Sequence, residues 1–336
     1  MKKYSRINKL IHKVYLKNYY ISKSTLSFEF DKYDSEIQKF NFEKCVFITG
    51  LARSGTTILL REIHDSKTFS SLQYKNMPFL FLPNTHQLKS NDKPSERSHK
   101  DNIKISGESP EEFDEYFWKV FMKDSYIKTD SLIKHDLENK ILDDYIKYVK
   151  LVCISKNKPN YITKNNNNIL RISSLLKIPN SIFFILVRKP LDHVSSLMKL
   201  HSKFTEEHKN DPFSLEYFDI LGHHEFGMNQ KPFKLIDRDF KKIKKLNKDQ
   251  IDYWLIIWKQ YYEYLIEIYN DKFNIILFED LLENRERVNK HINQILNIDI
   301  KTQVKDYKPP IYKKVNNKLL DQCNEVYLKL KEKIKY

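Results

Sequence analysis

The chain has little of what marks an extracellular, membrane-spanning or metal-bound protein. Only three cysteines, Cys45, Cys153 and Cys323, occur in 336 residues. An odd, scattered set argues against a disulfide framework and for a reducing, cytoplasmic compartment. Cys45 opens an apolar run and reads as a small core residue. No stretch approaches the roughly 20 apolar residues of a membrane span, and the N-terminus lacks the apolar run of a signal peptide. The expectation is a soluble protein with no membrane span. His12, His64 and the pair His223-His224 stand at no spacing from Cys or acids that suggests a metal site, so none is expected. RNA-binding aromatic motifs, zinc-finger spacings and fixed-period repeats are also missing.

What is present is a basic surplus: 59 Lys and Arg against 44 Asp and Glu, a formal net charge of +15. Such a surplus steers anionic partners toward the chain. The basic residues are mostly Lys and dispersed along the whole length, which reads as compositional drift. Nucleic acid is therefore not an expected partner. Hydrophobic residues make up 40% and charged residues 31%, the balance of a globular protein with a sizeable core.

Along the chain, residues 1–40 read as a polar, Tyr- and Lys-rich N-terminal extension packed on one domain over 41–336. Apolar runs place strands at 44–49, 161–163, 181–187 and 273–278. Helical spacing follows from Thr56 to about His64, and at 137–157, 168–177, 195–203, 249–270, 281–296 and from about 317. Ser109-Pro110-Glu111-Glu112 has the form of a helix start, with Phe113, Phe117, Val120 and Phe121 on the buried face. Residues 67–106, with Pro78, Pro83 and Pro94, read as loop, and the polar stretch 205–248 as a mobile insertion, a lid or an acceptor-facing segment. Tyr253, Trp254, Trp258, Tyr261 and Tyr262 read as core or as a subunit contact, which leaves a homodimer open, and Glu279-Asp280 as the cap of the following turn. Alternating strands and helices imply an α/β fold: a central parallel sheet flanked by helices on both faces. Ligands bind beyond the C-terminal strand ends of such sheets, where Arg53, Lys164 and Arg188 fall.

The most informative stretch runs from Cys45 to Leu60. A strand ends at Gly50, the loop Leu51-Ala52-Arg53-Ser54-Gly55 follows, and Thr56-Thr57 open a helix. Loop amides, a helix N-terminus and two hydroxyls together cradle an anion. The spacing of Gly50 and Gly55 is that of a P-loop, yet Thr56 stands where the P-loop Lys belongs. Without that Lys, triphosphate chemistry loses its main cation; the basic residue is Arg53 instead. A second run, Ser181 to Val187, ends in Arg188-Lys189-Pro190, with Ser196 eight residues after Arg188 and Ser195 as the neighbouring alternative.

On these residues the chain resembles the sulfotransferases that use 3'-phosphoadenosine 5'-phosphosulfate (PAPS). The loop resembles that family's 5'-phosphosulfate loop, Arg188 and Ser196 its 3'-phosphate segment, and Phe273 to Leu281 its late strand and turn. The resemblance covers residues 44 to 300. It implies a P-loop-like nucleotide fold, PAPS as sulfuryl donor without a metal, and a hydroxyl or amine acceptor on a carbohydrate or other small molecule. Arg53, Ser54, Gly55, Thr56, Thr57, Arg188 and Ser196 would bind the donor. Lys164 matches the place where tyrosylprotein sulfotransferases put a Lys on the transferring group. The alternatives are a nucleoside or sugar kinase on the same fold, or a nucleotide- or glycan-binding protein without catalysis.

The same resemblance expects a catalytic Glu shortly after the first helix. The matching stretch, Leu72 to Pro78, contains no carboxylate. The next candidates lie in Glu96-Arg97-Ser98-His99-Lys100-Asp101. His99 can accept a proton near neutral pH, and Glu96 or Asp101 can orient it or replace it.

Overall fold

Five parallel strands form the central sheet in a computed structural model, which describes residues 6–86, 95–96, 104–300 and 317–336. They are β1 (Lys44–Thr49), β2 (Phe69–Ser70), β3 (Asn160–Lys164), β4 (Ser181–Val187) and β5 (Phe273–Leu277), in the order β2-β3-β1-β4-β5. Every neighbouring pair is parallel. The runs are largely apolar and almost wholly buried because both faces are covered. Val46, Ile48, Phe184, Leu186 and Ile276 face one layer, with Leu59, Leu60 and Ile63 of the helix Thr56–Asp65 and Val288, Ile292 and Leu296 of Arg285–Leu296. Cys45, Phe47, Phe183 and Ile185 face the other, with residues of Asp114–Met122, Asn139–Lys156 and Ile251–Glu267. From β1 the chain turns back toward β2, and from β4 it moves outward to β5. That reversal opens a crevice between the C-terminal ends of β1 and β4, the place where such sheets hold ligands.

Several expected elements change form. Residues 6–39 make three helices, Arg6–Lys17, Tyr19–Lys32 and Asp34–Lys39, and Tyr15, Leu16, Leu26 and Ile37 join the main core. The stretch 205–248 is not loop-like. The helix that opens at Pro190 runs on to Asn210, and Pro212–Leu221 and Asp237–Ile243 follow. Phe204, Phe213, Tyr217, Ile220, Phe226, Phe233, Phe240 and Ile243 are buried there. Dense Lys and Glu between those aromatics hid the helical period. The helix expected from Ser109 begins only at Asp114, because Pro110 pairs with Gln73 in an isolated bridge. The expected helix 168–177 is a 3₁₀ turn, Asn166–Leu170, followed by Ile172–Leu175. Among the described residues no helix is long and apolar enough to cross a membrane.

Candidate functional site

The loop between β1 and the helix Thr56–Asp65 is pressed into the crevice. A Cβ on Gly50 would sit 2.6 Å from the Leu186 carbonyl oxygen of β4, so only glycine allows this approach. Gly55, at φ +101°, caps the helix, and a Cβ there would meet the Phe278 ring at 2.8 Å. Arg53 also adopts a left-handed backbone, φ 75°, a conformation that a non-glycine residue keeps only when its surroundings impose it. The Ile58 amide bonds to Gly55 O at 3.0 Å and the Ser54 amide to Leu51 O at 3.2 Å; the first amides of a helix have no partner within it and can serve an anion. Ser54, Thr56 and Thr57 are buried.

The strand-end arginine closes on this loop. Arg188 Nη1 donates to the Arg53 carbonyl at 3.0 Å, and its guanidinium lies 4.6 Å from the centre of the Phe278 ring. Arg53 Nε donates to Ser196 Oγ at 3.3 Å. Arg53, Arg188 and Ser196, 143 positions apart at most, thus meet in space. The neighbouring Ser195 instead bonds through Oγ to the Leu191 carbonyl of its own helix at 2.8 Å. His193 was not anticipated. Its Nε2 lies 2.8 Å from the Ala52 carbonyl oxygen, and burial with Arg188 nearby pushes its pKa down to about 3. A neutral imidazole therefore pins the loop to the β4 helix. The aromatic helix is core: Trp258 donates to the Arg188 carbonyl and Tyr262 to that of Leu186. Glu279 accepts from the Lys189 amide at 2.8 Å.

Lys164 ends β3 beside the loop, since the Asn165 amide bonds to the Ile48 carbonyl and Thr49 Oγ1 to that of Asn165. It is buried, pairs directly with Glu112 and lies 3.9 Å from Glu111. Glu112 also accepts from the Asn166 amide at 2.7 Å and from Asn166 Nδ2 at 3.0 Å. Asn166 Nδ2 reaches Glu225 as well, at 3.0 Å, and His223 Nδ1 lies 3.8 Å from the other Glu225 oxygen. Burial, reinforced by the Glu225 charge and opposed by Lys164, pushes Glu112 up to about 7. Burial also disfavours the Glu225 charge, but His223 and Lys164 hold that carboxyl down at about 2. Glu112, His223 and Glu225 offer ligand atoms within 4.8 Å of one another, a grouping that chain spacing did not suggest. The Lys164 ammonium compensates the carboxylate charge there.

Glu111 and Glu112 were in view in the sequence but read as acids in the first turn of a helix starting at Ser109. They act otherwise because two segments pair: Tyr74 N bonds to Ser109 O at 3.2 Å and Lys75 N to Gly107 O at 2.9 Å. The carboxylate-free stretch after the first helix is thereby lined by an acid-bearing one. His99 and Asp101 lie outside the described residues. The Glu96 backbone belongs to a two-residue strand, Ser95–Glu96, paired with Lys104–Ile105.

Comparison with known proteins identifies the family. The profile described as the sulfotransferase family matches residues 45–302. The fold is similar to that of the sulfotransferase STF1 from Mycobacterium tuberculosis H37Rv, with a TM-score of 0.50 at 11% identity over 87% of this chain and 78% of that one. STF9 from Mycobacterium avium aligns with a TM-score of 0.49 at 10% identity over 98% and 79%. The sulfotransferase from Alicyclobacillus acidocaldarius aligns at 0.38 and 12% over 86% and 92%. No curated protein sequence matches the chain. A family match over most of the chain, on a P-loop-like α/β sheet, makes this protein a member of the sulfotransferase family.

Proposed function

We propose that the chain moves a sulfuryl group from PAPS to a hydroxyl, or an amine, of a carbohydrate acceptor. The observation that carries this reading is the meeting of the Gly50–Thr57 loop with Arg188 and Ser196 in one crevice. The loop amides with Ser54, Thr56 and Thr57 suit the 5'-phosphosulfate. The fork of Arg188 suits a phosphate monoester, the 3'-phosphate, with Ser196 beside it. Arg53 and Lys164 supply positive charge where the leaving phosphate gains its negative charge, as in phosphoryl transfer. The scheme needs no metal. The setting is the cytoplasm, where Cys45, Cys153 and Cys323, all free and buried, stay reduced, and the acceptor is a glycan or small molecule and not a nucleic acid.

The test compares ligands by thermal unfolding and then assays transfer. Adenosine 3',5'-bisphosphate at about 100 times its dissociation constant should stabilise the fold by about 2.7 kcal/mol, and Mg-ATP by less. Equal or greater stabilisation by Mg-ATP overturns the reading in favour of a kinase. Donor binding with no transfer of labelled sulfate to any member of a glycan panel points to a binding protein.

A further inference from the structure

We propose that Glu112 takes the proton from the acceptor hydroxyl, held beside the donor loop by Lys164, Asn166 and Glu225. This rests on the sulfuryl-transfer reading above.

The position comes first. Lys164 and Asn166 flank Asn165, whose amide and carbonyl bond to Ile48 and Thr49 at the end of β1. Tyr261 Oη lies 3.5 Å from Thr49 Oγ1 and 3.4 Å from the Asn166 carbonyl oxygen. Glu112 is therefore tied to the first residue before the anion loop, on the β3 side, whereas Arg188 and Ser196 approach from the β4 side. Donor and acceptor sides of an in-line transfer would lie on opposite flanks of that loop.

A second observation points to a ligand. Asn166 turns its Nδ2 to both carboxylates. Its Oδ1 is buried and accepts no hydrogen bond from the described residues. A buried amide oxygen without a donor costs free energy, and an acceptor hydroxyl or amine would satisfy it. The cluster is reached from the His223 side chain, 20% exposed, where the others are nearly closed.

The charges facing Glu112 come from four elements. Lys164 ends β3, Glu225 and His223 follow the helix Pro212–Leu221, Glu111 precedes it in its own segment, and Tyr261 reaches across from Ile251–Glu267. Two carboxyls in one site with separated acidities mark the division of roles seen in acid–base pairs. Glu225 stays charged and orients Asn166 and His223. Glu112 changes its protonation near neutral pH.

The step balances. The acceptor O–H proton passes to a Glu112 oxygen, and the freed pair forms the new O–S bond. The bond from sulfur to the donor's phosphate oxygen breaks, and its pair leaves on adenosine 3',5'-bisphosphate. Protonated Glu112 then returns its proton to solvent past His223.

The experiment uses the full chain, labelled PAPS, and as acceptor either water or the best member of the glycan panel. Glu112→Gln should bind adenosine 3',5'-bisphosphate as wild type does, by calorimetry, and lose about 10²–10⁴ in rate. Glu112→Asp should recover part of that rate. The wild-type rate should rise with pH through about 7, and the rise should vanish in Glu112→Gln. A residual Glu112→Gln rate within threefold of wild type, or an unchanged pH profile, overturns the proposal. If Glu112→Gln fails to fold, carbon-13 carboxyl NMR of the wild type decides: no glutamate titrating between about pH 6 and 8 overturns it. If wild type itself fails to bind the bisphosphate, it is the sulfuryl-transfer reading that falls.

Discussion

Arg53 and Arg188 meet at the same loop. In the proposed transfer Arg188 would face a phosphate that is fully charged before the reaction, and Arg53 charge that grows as the S–O bond breaks. Arg188→Ala should raise the dissociation constant for adenosine 3',5'-bisphosphate about 10- to 100-fold, the loss expected of a charge-assisted hydrogen bond. Arg53→Ala should lower turnover about 10²–10³-fold with a smaller change in affinity. Calorimetry beside single-turnover kinetics separates the two, and loss of affinity alone in Arg53→Ala would reverse the assignment. Glu225 makes a prediction about acid stability. Its folded pKa, about 2, lies below the unfolded value, so its ionised form adds stability above about pH 4.3 that is lost as pH falls toward 2. The melting-temperature deficit of Glu225→Gln should therefore be largest near neutral pH and shrink by pH 3.

At the scale of elements, the helix Asp114–Met122 illustrates how acids become structural. Its first turn holds Asp114 and Glu115, and both are buried. Tyr145 and Tyr161 donate to Asp114 at 2.5 and 2.7 Å. Arg171 forks onto Glu115 at 2.9 and 3.1 Å and lies over Trp118 and Tyr126. Neither member of that ion pair has an exposed side chain. Removing one partner of such a pair typically costs about 3–5 kcal/mol because the other charge stays buried and unpaired. Arg171→Met should lower stability by that amount in denaturant unfolding. The double variant Glu115→Leu/Arg171→Met should lose less than the two single changes summed; strict additivity would show the pair is uncoupled. The four longer strands and the helix Thr56–Asp65 were legible in the sequence, since largely apolar runs and a glycine-closed loop leave few alternatives. The Pro190–Asn210 helix was read short, because Lys, Glu and His fill the turns between Leu200, Phe204 and His208.

For the whole molecule, the N-terminal helices decide where the folding unit begins. Leu16 and Leu26 are fully buried, Ser22 Oγ lies 2.6 Å from Tyr116 Oη, and Glu29 accepts from the Thr85 amide at 2.7 Å and from Asn84 at 3.1 Å. These contacts join the helices of residues 6–39 to the layer behind β1. A chain starting at residue 41 would expose that layer. It should show no single cooperative thermal transition, where the full chain shows one. A truncated chain that melts as sharply as the full one would mean that the helices are an appendage.

The sequence by itself determined the sheet and the anion loop. Apolar runs, two glycines and the Arg188–Ser196 spacing are local signals, and each acts within one strand, turn or helix. It also carried the family. The site around Lys164 was decided only by tertiary structure. Glu112, Asn166, His223 and Glu225 lie on segments up to 113 positions apart, and no local pattern relates them. Gln73 pairing with Pro110 brings Glu112 to the end of β3, and the packed segment after Leu221 brings Glu225 to the same asparagine. Burial among these groups, absent from any one of the segments, is what moves Glu112 into the range where it can exchange a proton at neutral pH.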